Sequence, residues 1–102
     1  MKNVISSVRA PKAVGPYSQA TESNGFIFIS GQLPIDVSKG EIVDGGIREQ
    51  TAQSLRNIGY ILEEAGCNFD NVLKATVYLS DINNFTAMNE VYATFFKEPY
   101  PA

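Results

Sequence analysis

The side chains that most often carry acid–base or nucleophilic chemistry are nearly absent from this sequence. Its 102 residues include no histidine and a single cysteine, Cys67. The chain therefore lacks the usual general base of serine and cysteine hydrolases, the commonest zinc ligand, and the imidazole that relays protons in metal-free RNA cleavage. Cys67 has no histidine or lysine partner nearby in the sequence and is interpreted as a bystander thiol. One cysteine permits no disulfide within the chain, so a reducing compartment is the simpler assumption.

Size and charge narrow the class of protein further. A chain of 102 residues is a single domain that can bury roughly 65% of its unfolded surface, enough for one core. The formal net charge is −3, and the eight lysines and arginines are scattered, which argues against nucleic acid as a partner. No apolar run resembles a secretory signal or a membrane span. The sequence predicts a soluble cytoplasmic protein.

Two strands are predicted from alternation and turn chemistry. The run Phe26–Ser30 lies between Asn24-Gly25 and Gly31, and residues 18–21 can pair with it as a hairpin. Phe26 and Phe28 would share one face of this strand and Ile27 and Ile29 the other. The run from Val72 to Leu79 also alternates, and its odd-numbered apolar residues are expected to face a helix.

Two amphipathic helices are predicted from apolar residues at three- and four-residue spacing. The first begins after Asp44-Gly45-Gly46 and ends at Gly66. Its polar residues, including Gln53 and Asn57, are expected to fall largely off the packed stripe, on a solvated face. The second has Asp81 as its N-cap and ends at Pro99.

This order of elements predicts an α+β fold in which both helices pack on one face of a mixed sheet. The chain offers no further helix for the opposite face, which carries large apolar side chains. Self-association in a closed cyclic oligomer is therefore expected to cover that face.

Three segments carry a more specific signal, and they follow one another in a fixed order. They are Ala10–Ala20, containing Gly15-Pro16-Tyr17-Ser18-Gln19; Ser30–Ile35, followed by Gly40-Glu41; and the stretch from Ala65-Gly66 through Val72–Asp81 to Phe85, Met88, Asn89, Tyr92 and Phe95-Phe96. In order and spacing they resemble the signatures of the RidA/YjgF/UK114 family, also labelled endoribonuclease L-PSP. The resemblance covers the whole of 1–102 as a single domain.

The resemblance implies a chorismate-mutase-like fold assembled as a homotrimer, with a pocket in each cleft between subunits. Members of this family hydrolyse reactive enamines and imines, such as 2-aminoacrylate, to 2-keto acids and ammonia, with no metal and no cofactor. The resemblance implies the same hydrolase activity for the complete protein, with a small 2-imino or 2-enamino acid as substrate. Such a reaction relies on positioning and desolvation, so a small pocket suffices.

The same resemblance assigns substrate-binding roles to Tyr17, Ser30, Gly31 and Asn89. Tyr17 would close the pocket wall, Ser30 and the main chain of Gly31 would line it, and Asn89 would add a polar group. Each also has a structural interpretation. Tyr17 can be a turn aromatic, Ser30 a strand-end hydroxyl, Gly31 a turn glycine and Asn89 a solvated helix residue.

The sequence departs from the family pattern at its end. In the family, a Pro-Ala pair is followed by the arginine that binds the substrate carboxylate, then by two strands, the last of which carries a glutamate that positions water. This sequence ends at Pro101-Ala102. The expectation is that both catalytic groups and the last two strands lie beyond Ala102, and that the fragment by itself is inactive. Two alternatives to the deaminase are an endoribonuclease acting as a translation inhibitor and a trimer that binds small ligands without turnover.

Overall fold

The computed structural model describes all residues from Met1 to Ala102 as five short strands and two helices. The strands are β1 (Asn3–Ile5), β2 (Ala20–Ser23), β3 (Phe26–Ile29), β4 (Ile35–Asp36) and β5 (Glu41–Ile42). The helices are α1 (Ile47–Glu64) and α2 (Phe85–Phe95), and single 3₁₀ turns cover Phe69–Asn71 and Ile82–Asn84. The predicted α+β class is confirmed.

The hairpin formed by β2 and β3 is the centre of a three-stranded antiparallel sheet in the order β1-β2-β3. Asn24 and Gly25 connect the two strands with φ of 54° and 81°, the positive values that a tight two-residue hairpin turn requires. Ala20 pairs with Ile29 and Ser23 with Phe26, so the predicted pairing of these segments is confirmed. The β2 strand begins two residues later than the sequence indicated.

One face of this sheet packs on α1. The row Ile5–Ala20–Ile29 crosses the three strands and meets Ile61, which is fully buried. Ile27 lies on the same face. Helix α1 ends as predicted, because Gly66 takes a φ of +77° that a side chain would disfavour.

The two helices pack against each other. Leu55 and Leu62 of α1, Met88 of α2 and Phe96, which follows α2, are buried. Phe69 fits beside α1 at Gly59, where a Cβ atom would lie 3.0 Å from the ring of Phe69. The same ring meets Phe96 edge to face at a centroid distance of 5.1 Å. The predicted bounds of the second helix are too wide. Asp81 accepts a hydrogen bond from the N–H of Asn83 and so caps the 3₁₀ turn Ile82–Asn84 that leads into α2. The N-cap of α2 itself is Asn84, and the helix ends at Phe95, before Pro99.

The predicted strand over Val72–Leu79 is wrong as a strand of the main sheet. These residues form no ladder. Apart from a turn bond from the N–H of Val72 to Phe69 O, their main-chain partner is Ala102, whose N–H donates to Leu73 O while its carbonyl accepts from Ala75 N–H, both at 2.9 Å. Ala102 therefore bonds to the residues on either side of Lys74, which is the hydrogen-bond pattern of neighbouring parallel strands. Leu73 and Val77 remain 72% and 45% exposed, so the expected burial of this face against a helix is only partly realised.

Candidate functional site

Tyr17 lies at the end of the loop that joins β1 to β2 and is half exposed. Its ring lies close to Gly15, where a Cβ atom would come within 3.6 Å of it. The phenol oxygen accepts a long hydrogen bond of 3.4 Å from the N–H of Val14. The ring therefore stands at the surface of a short loop that folds back on itself, and it does not belong to the core.

Gln19, immediately before β2, fixes the start of this loop. Its side chain is buried, and its Oε1 accepts from the N–H of Ser7 at 2.6 Å. Its Nε2 donates to the carbonyls of Pro11 at 2.9 Å and Ser7 at 3.1 Å. One amide thus holds both ends of the segment from Ser7 to Pro11, and the residues that follow lead directly to Tyr17.

Ser30 and Gly31 follow β3 and lie next to the residues that precede β2. The N–H of Ser30 donates to Gln19 O at 2.9 Å, and its hydroxyl donates to Ser18 O at 2.7 Å. The hydroxyl proton is therefore already donated to Ser18 O, whereas the hydroxyl oxygen can still accept a hydrogen bond from a ligand. Gly31 is exposed, and a Cβ atom placed on it would meet nothing within 4 Å. Ser30 is thus joined to Ser18 and Gln19, the two residues that follow Tyr17 in the chain.

Asn89 lies on a different surface. It is exposed on α2 and lines a groove of about 470 Å³ between that helix and the segment 75–79. Most of this groove is apolar, and burial there raises the pKa of the Tyr92 phenol above its ordinary value. None of Tyr17, Ser30 and Gly31 lines the groove. Within one chain, the structure does not join Asn89 to the other three residues.

Two of the arginines are already paired with carboxylates of the helices. Arg9 lies 2.8 Å from Glu63 and 4.2 Å above the ring of Tyr60, both on α1. Arg48 of α1 lies 3.2 Å from Glu90 of α2. These guanidinium groups join elements of the fold and are not aimed at the loop that carries Ser30 and Gly31. No three His, Cys, Asp or Glu side chains come close enough together to hold a metal ion.

Three buried amides are not where or what the sequence predicted. The sequence assigns Gln19 no anchoring role, and it places Gln53 and Asn57 on the solvated side of α1. The structure corrects the second prediction, because Asn57 is fully buried and Gln53 nearly so. A signal was present in the spacing, since Gln53, Asn57 and Ile61 follow one another at four-residue intervals and share one helix face.

Replacing Gln19 with leucine is expected to lower the free energy of unfolding by about 1–3 kcal/mol. Leucine has a similar volume, but it would leave the N–H of Ser7 and the carbonyl of Pro11 buried or half-buried without their partner. Urea denaturation followed by circular dichroism measures the change. Gln32→Leu is the control, because Gln32 bonds only the neighbouring carbonyl of Ser30. Equal stability of the two variants would contradict the anchoring role of Gln19.

Comparison with known proteins gives the family. Residues 7–102 match the family described as endoribonuclease L-PSP. The chain belongs to the RidA/YjgF/UK114 family. This family member is 56% identical over its whole length to a RutC family protein of Pyrococcus horikoshii, of which it covers 81%. It is 50% identical to the human protein named 2-iminobutanoate/2-iminopropanoate deaminase and covers 74% of that chain.

The RidA/YjgF/UK114 fold is confirmed by a solved structure. A Rid family protein of Yersinia pestis superposes with a TM-score of 0.96 and 43% identity, over all of this chain and 82% of that one. The segment 72–79 therefore has the course of a family structure even though it forms no ladder here. No helix of this family member is long and apolar enough to cross a membrane.

Proposed function

We propose that the full-length protein hydrolyses reactive enamines and imines, such as 2-aminoacrylate, to 2-keto acids and ammonia. The observation that carries this proposal is 50% identity over all 102 residues to a human protein named for the deamination of 2-iminobutanoate and 2-iminopropanoate. Both of these compounds are small 2-imino acids. The proposed substrate class is therefore a planar 2-imino or 2-enamino acid with a short side chain.

The reaction needs positioned polar groups more than a strong nucleophile. The enamine gains a proton at C3 and loses one from nitrogen, which gives the imine. Water then adds across the C2–N double bond to give a carbinolamine. Its hydroxyl proton passes to nitrogen as the C2–N bond breaks, which releases ammonia and leaves a keto group. The hydroxyl oxygen of Ser30 and the exposed main chain of Gly31 supply hydrogen-bonding groups, and Ser30 is bonded to Ser18, which follows Tyr17 in the chain. Fixed groups of this kind lower the barrier because they need no reorganisation during the reaction.

The proposed assembly is a homotrimer with its pockets in the clefts between subunits. The outer face of the sheet supports it, because the row Val4–Thr21–Phe28 crosses the three strands and exposes 62% of Val4 and 71% of Phe28. Tyr78 is 93% exposed as well. Neighbouring copies would cover these side chains, and a cleft between subunits would give Asn89 a partner surface that one chain does not provide.

In the full-length protein, Tyr17→Ala and Ser30→Ala are each expected to lower kcat/KM for 2-aminoacrylate by about tenfold or more, because each removes a wall or a polar group beside the substrate. The substrate can be generated in the assay by a pyridoxal-phosphate-dependent dehydratase. The measurement is the rate of keto-acid and ammonia release above the spontaneous rate.

Ser38→Ala is the matched control, because the Ser38 hydroxyl bonds Asp36 in the turn between β4 and β5. It should retain wild-type activity. Circular dichroism and the oligomeric state should match among all the proteins. Full activity of both site variants would remove Tyr17 and Ser30 from the site, whereas an inactive wild type would reject the deaminase proposal itself.

A second candidate function, RNA cleavage, has one observation in its favour: the description of the matching family as an endoribonuclease. The chemistry of this chain supports it poorly, because there is no histidine to relay protons and the formal net charge is −3. Incubation of the full-length protein with RNA separates the two functions. Salt-sensitive cleavage that survives nuclease-free preparation, without keto-acid release, would favour the nuclease.

A further inference from the structure

The loop between β3 and β4 carries Gly31 and has few contacts of its own. Its first residue is tied to the segment before β2 through Ser30. Beyond that point, Gly31 is open to solvent and the side chain of Leu33 is 63% exposed, so packing does not fix the loop. Among the hydrogen bonds of residues 31–33, only one comes from another element of the fold. Its donor is Asn57 of α1.

Asn57 holds this loop with hydrogen bonds from the interior of the protein. Its Nδ2 donates to the carbonyls of Leu33 and Ile35, each at 3.0 Å, and these two residues flank Pro34. Its Oδ1 accepts from Gln53 Nε2, also at 3.0 Å. Both N–H groups of the fully buried Asn57 amide therefore donate to main-chain carbonyls at the end of this loop, where it enters β4.

An apolar residue could fill the same space on α1, but it could not hold the two carbonyls. Burying an amide is favourable only when its hydrogen bonds are made, and here they are made by the loop. Losing them would leave the stretch from Gly31 to Leu33 without a tie to the core. Displacement of catalytic groups by about 1 Å can cost about a hundredfold in rate, so such a tie bears directly on the reaction.

We propose that Asn57 is a positioning residue for the site. It lies in the core and fixes the loop whose main chain at Gly31 lines the substrate pocket. This inference rests on the proposed deaminase function and adds to it a residue outside the pocket. Asn57 does not touch the substrate. It fixes the position of the main-chain groups that contact the substrate.

The first test is Asn57→Asp in the full-length protein, which keeps the shape but replaces the donating nitrogen with oxygen. At about pH 8 the introduced carboxylate would repel both carbonyls, and kcat is expected to fall by about tenfold or more with a smaller change in KM. Burial beside carbonyl oxygens raises the pKa of a carboxyl group, and its protonated form can donate one hydrogen bond back to the loop. The ratio of variant to wild-type kcat should therefore recover as the pH falls from about 8 to about 5.

Gln53→Met is the matched control, since it removes a buried partner of Asn57 on the same helix but leaves both bonds to the loop. It should keep wild-type kcat per folded molecule. If Asn57→Asp does not fold, Asn57→Ala replaces it, with kcat again expressed per folded molecule. Unchanged kcat in a folded Asn57 variant, or an equal loss in Gln53→Met, overturns the proposal.

Hydrogen exchange separates this inference from the deaminase proposal. The amide of Val43 donates to Pro34 O and that of Ile35 to Leu33 O, so both amides report on the loop. In Asn57→Ala they should exchange about tenfold faster or more, while amides in the middle of α1 keep their protection. If the wild type releases no keto acid, the deaminase proposal fails, and exchange alone decides whether Asn57 holds the loop. Equal exchange in variant and wild type overturns the positioning role.

Discussion

Replacing Ile61 with alanine is expected to lower the free energy of unfolding by about 2–5 kcal/mol. Ile61 is fully buried in α1 and contacts Ala10 and Ala20, so it joins the helix to the N-terminal segment and to the central strand. Neither alanine can extend into the space that the lost side chain would leave. Since domains of this size are stabilised by about 5–15 kcal/mol in total, the variant would lose a large share of its stability.

Urea denaturation at a fixed protein concentration measures the effect, because the proposed self-association would also contribute to stability. Val8→Ala is the matched control: it removes a β-branched side chain that is 94% exposed, and its effect should stay within about 0.5 kcal/mol. A loss below about 1 kcal/mol in Ile61→Ala would show that the sheet and α1 do not depend on this contact.

The elements that the sequence predicted well are those specified by neighbours in the chain. Asn24-Gly25 can adopt the positive φ values of a tight turn, and that alone sets the register of β2 against β3. The four-and-three spacing predicted α1, and Gly66 marked its end. In each case the relevant interactions span only a few residues.

The segment from Val72 to Leu79 shows the limit of such reasoning. Alternation tells which side chains share a face, but a strand also needs a neighbouring chain to accept its hydrogen bonds. Here only Ala102 provides one. The partner of a strand is a property of the whole fold, and the sequence pattern of the strand itself does not contain it.

Asn57 was placed on the wrong face of α1 for a related reason. Its polarity favoured the solvated face, although its spacing puts it on the same helix face as Ile61. Its hydrogen-bond partners are Leu33 and Ile35, more than twenty residues away. Likewise, family resemblance placed Tyr17 and Ser30 in one site, but the structure was needed to show that Gln19 connects their segments. Long-range bonds to main-chain carbonyls leave no local trace in a sequence.

Replacing Phe28 with aspartate is expected to convert the proposed trimer of the full-length protein to a folded monomer. Phe28 lies on the outer face of β3, opposite Thr21 and in line with Val4, and 71% of it is exposed in the single chain. A carboxylate there costs little in a monomer, where water reaches it. In an oligomer it would be buried without a partner, at a cost of several kcal/mol for each subunit.

Sedimentation velocity or light scattering after size exclusion gives the mass, and circular dichroism verifies the fold. Phe28→Leu keeps an apolar side chain, so this variant should remain a trimer. Val8→Asp adds the same charge at another exposed position, and this variant should also remain a trimer. Deaminase activity should fall with the trimer in Phe28→Asp alone, because clefts between subunits cannot form in a monomer. A trimeric, active Phe28→Asp protein would mean that another surface joins the subunits, whereas a monomeric, active one would place the whole site within a single chain.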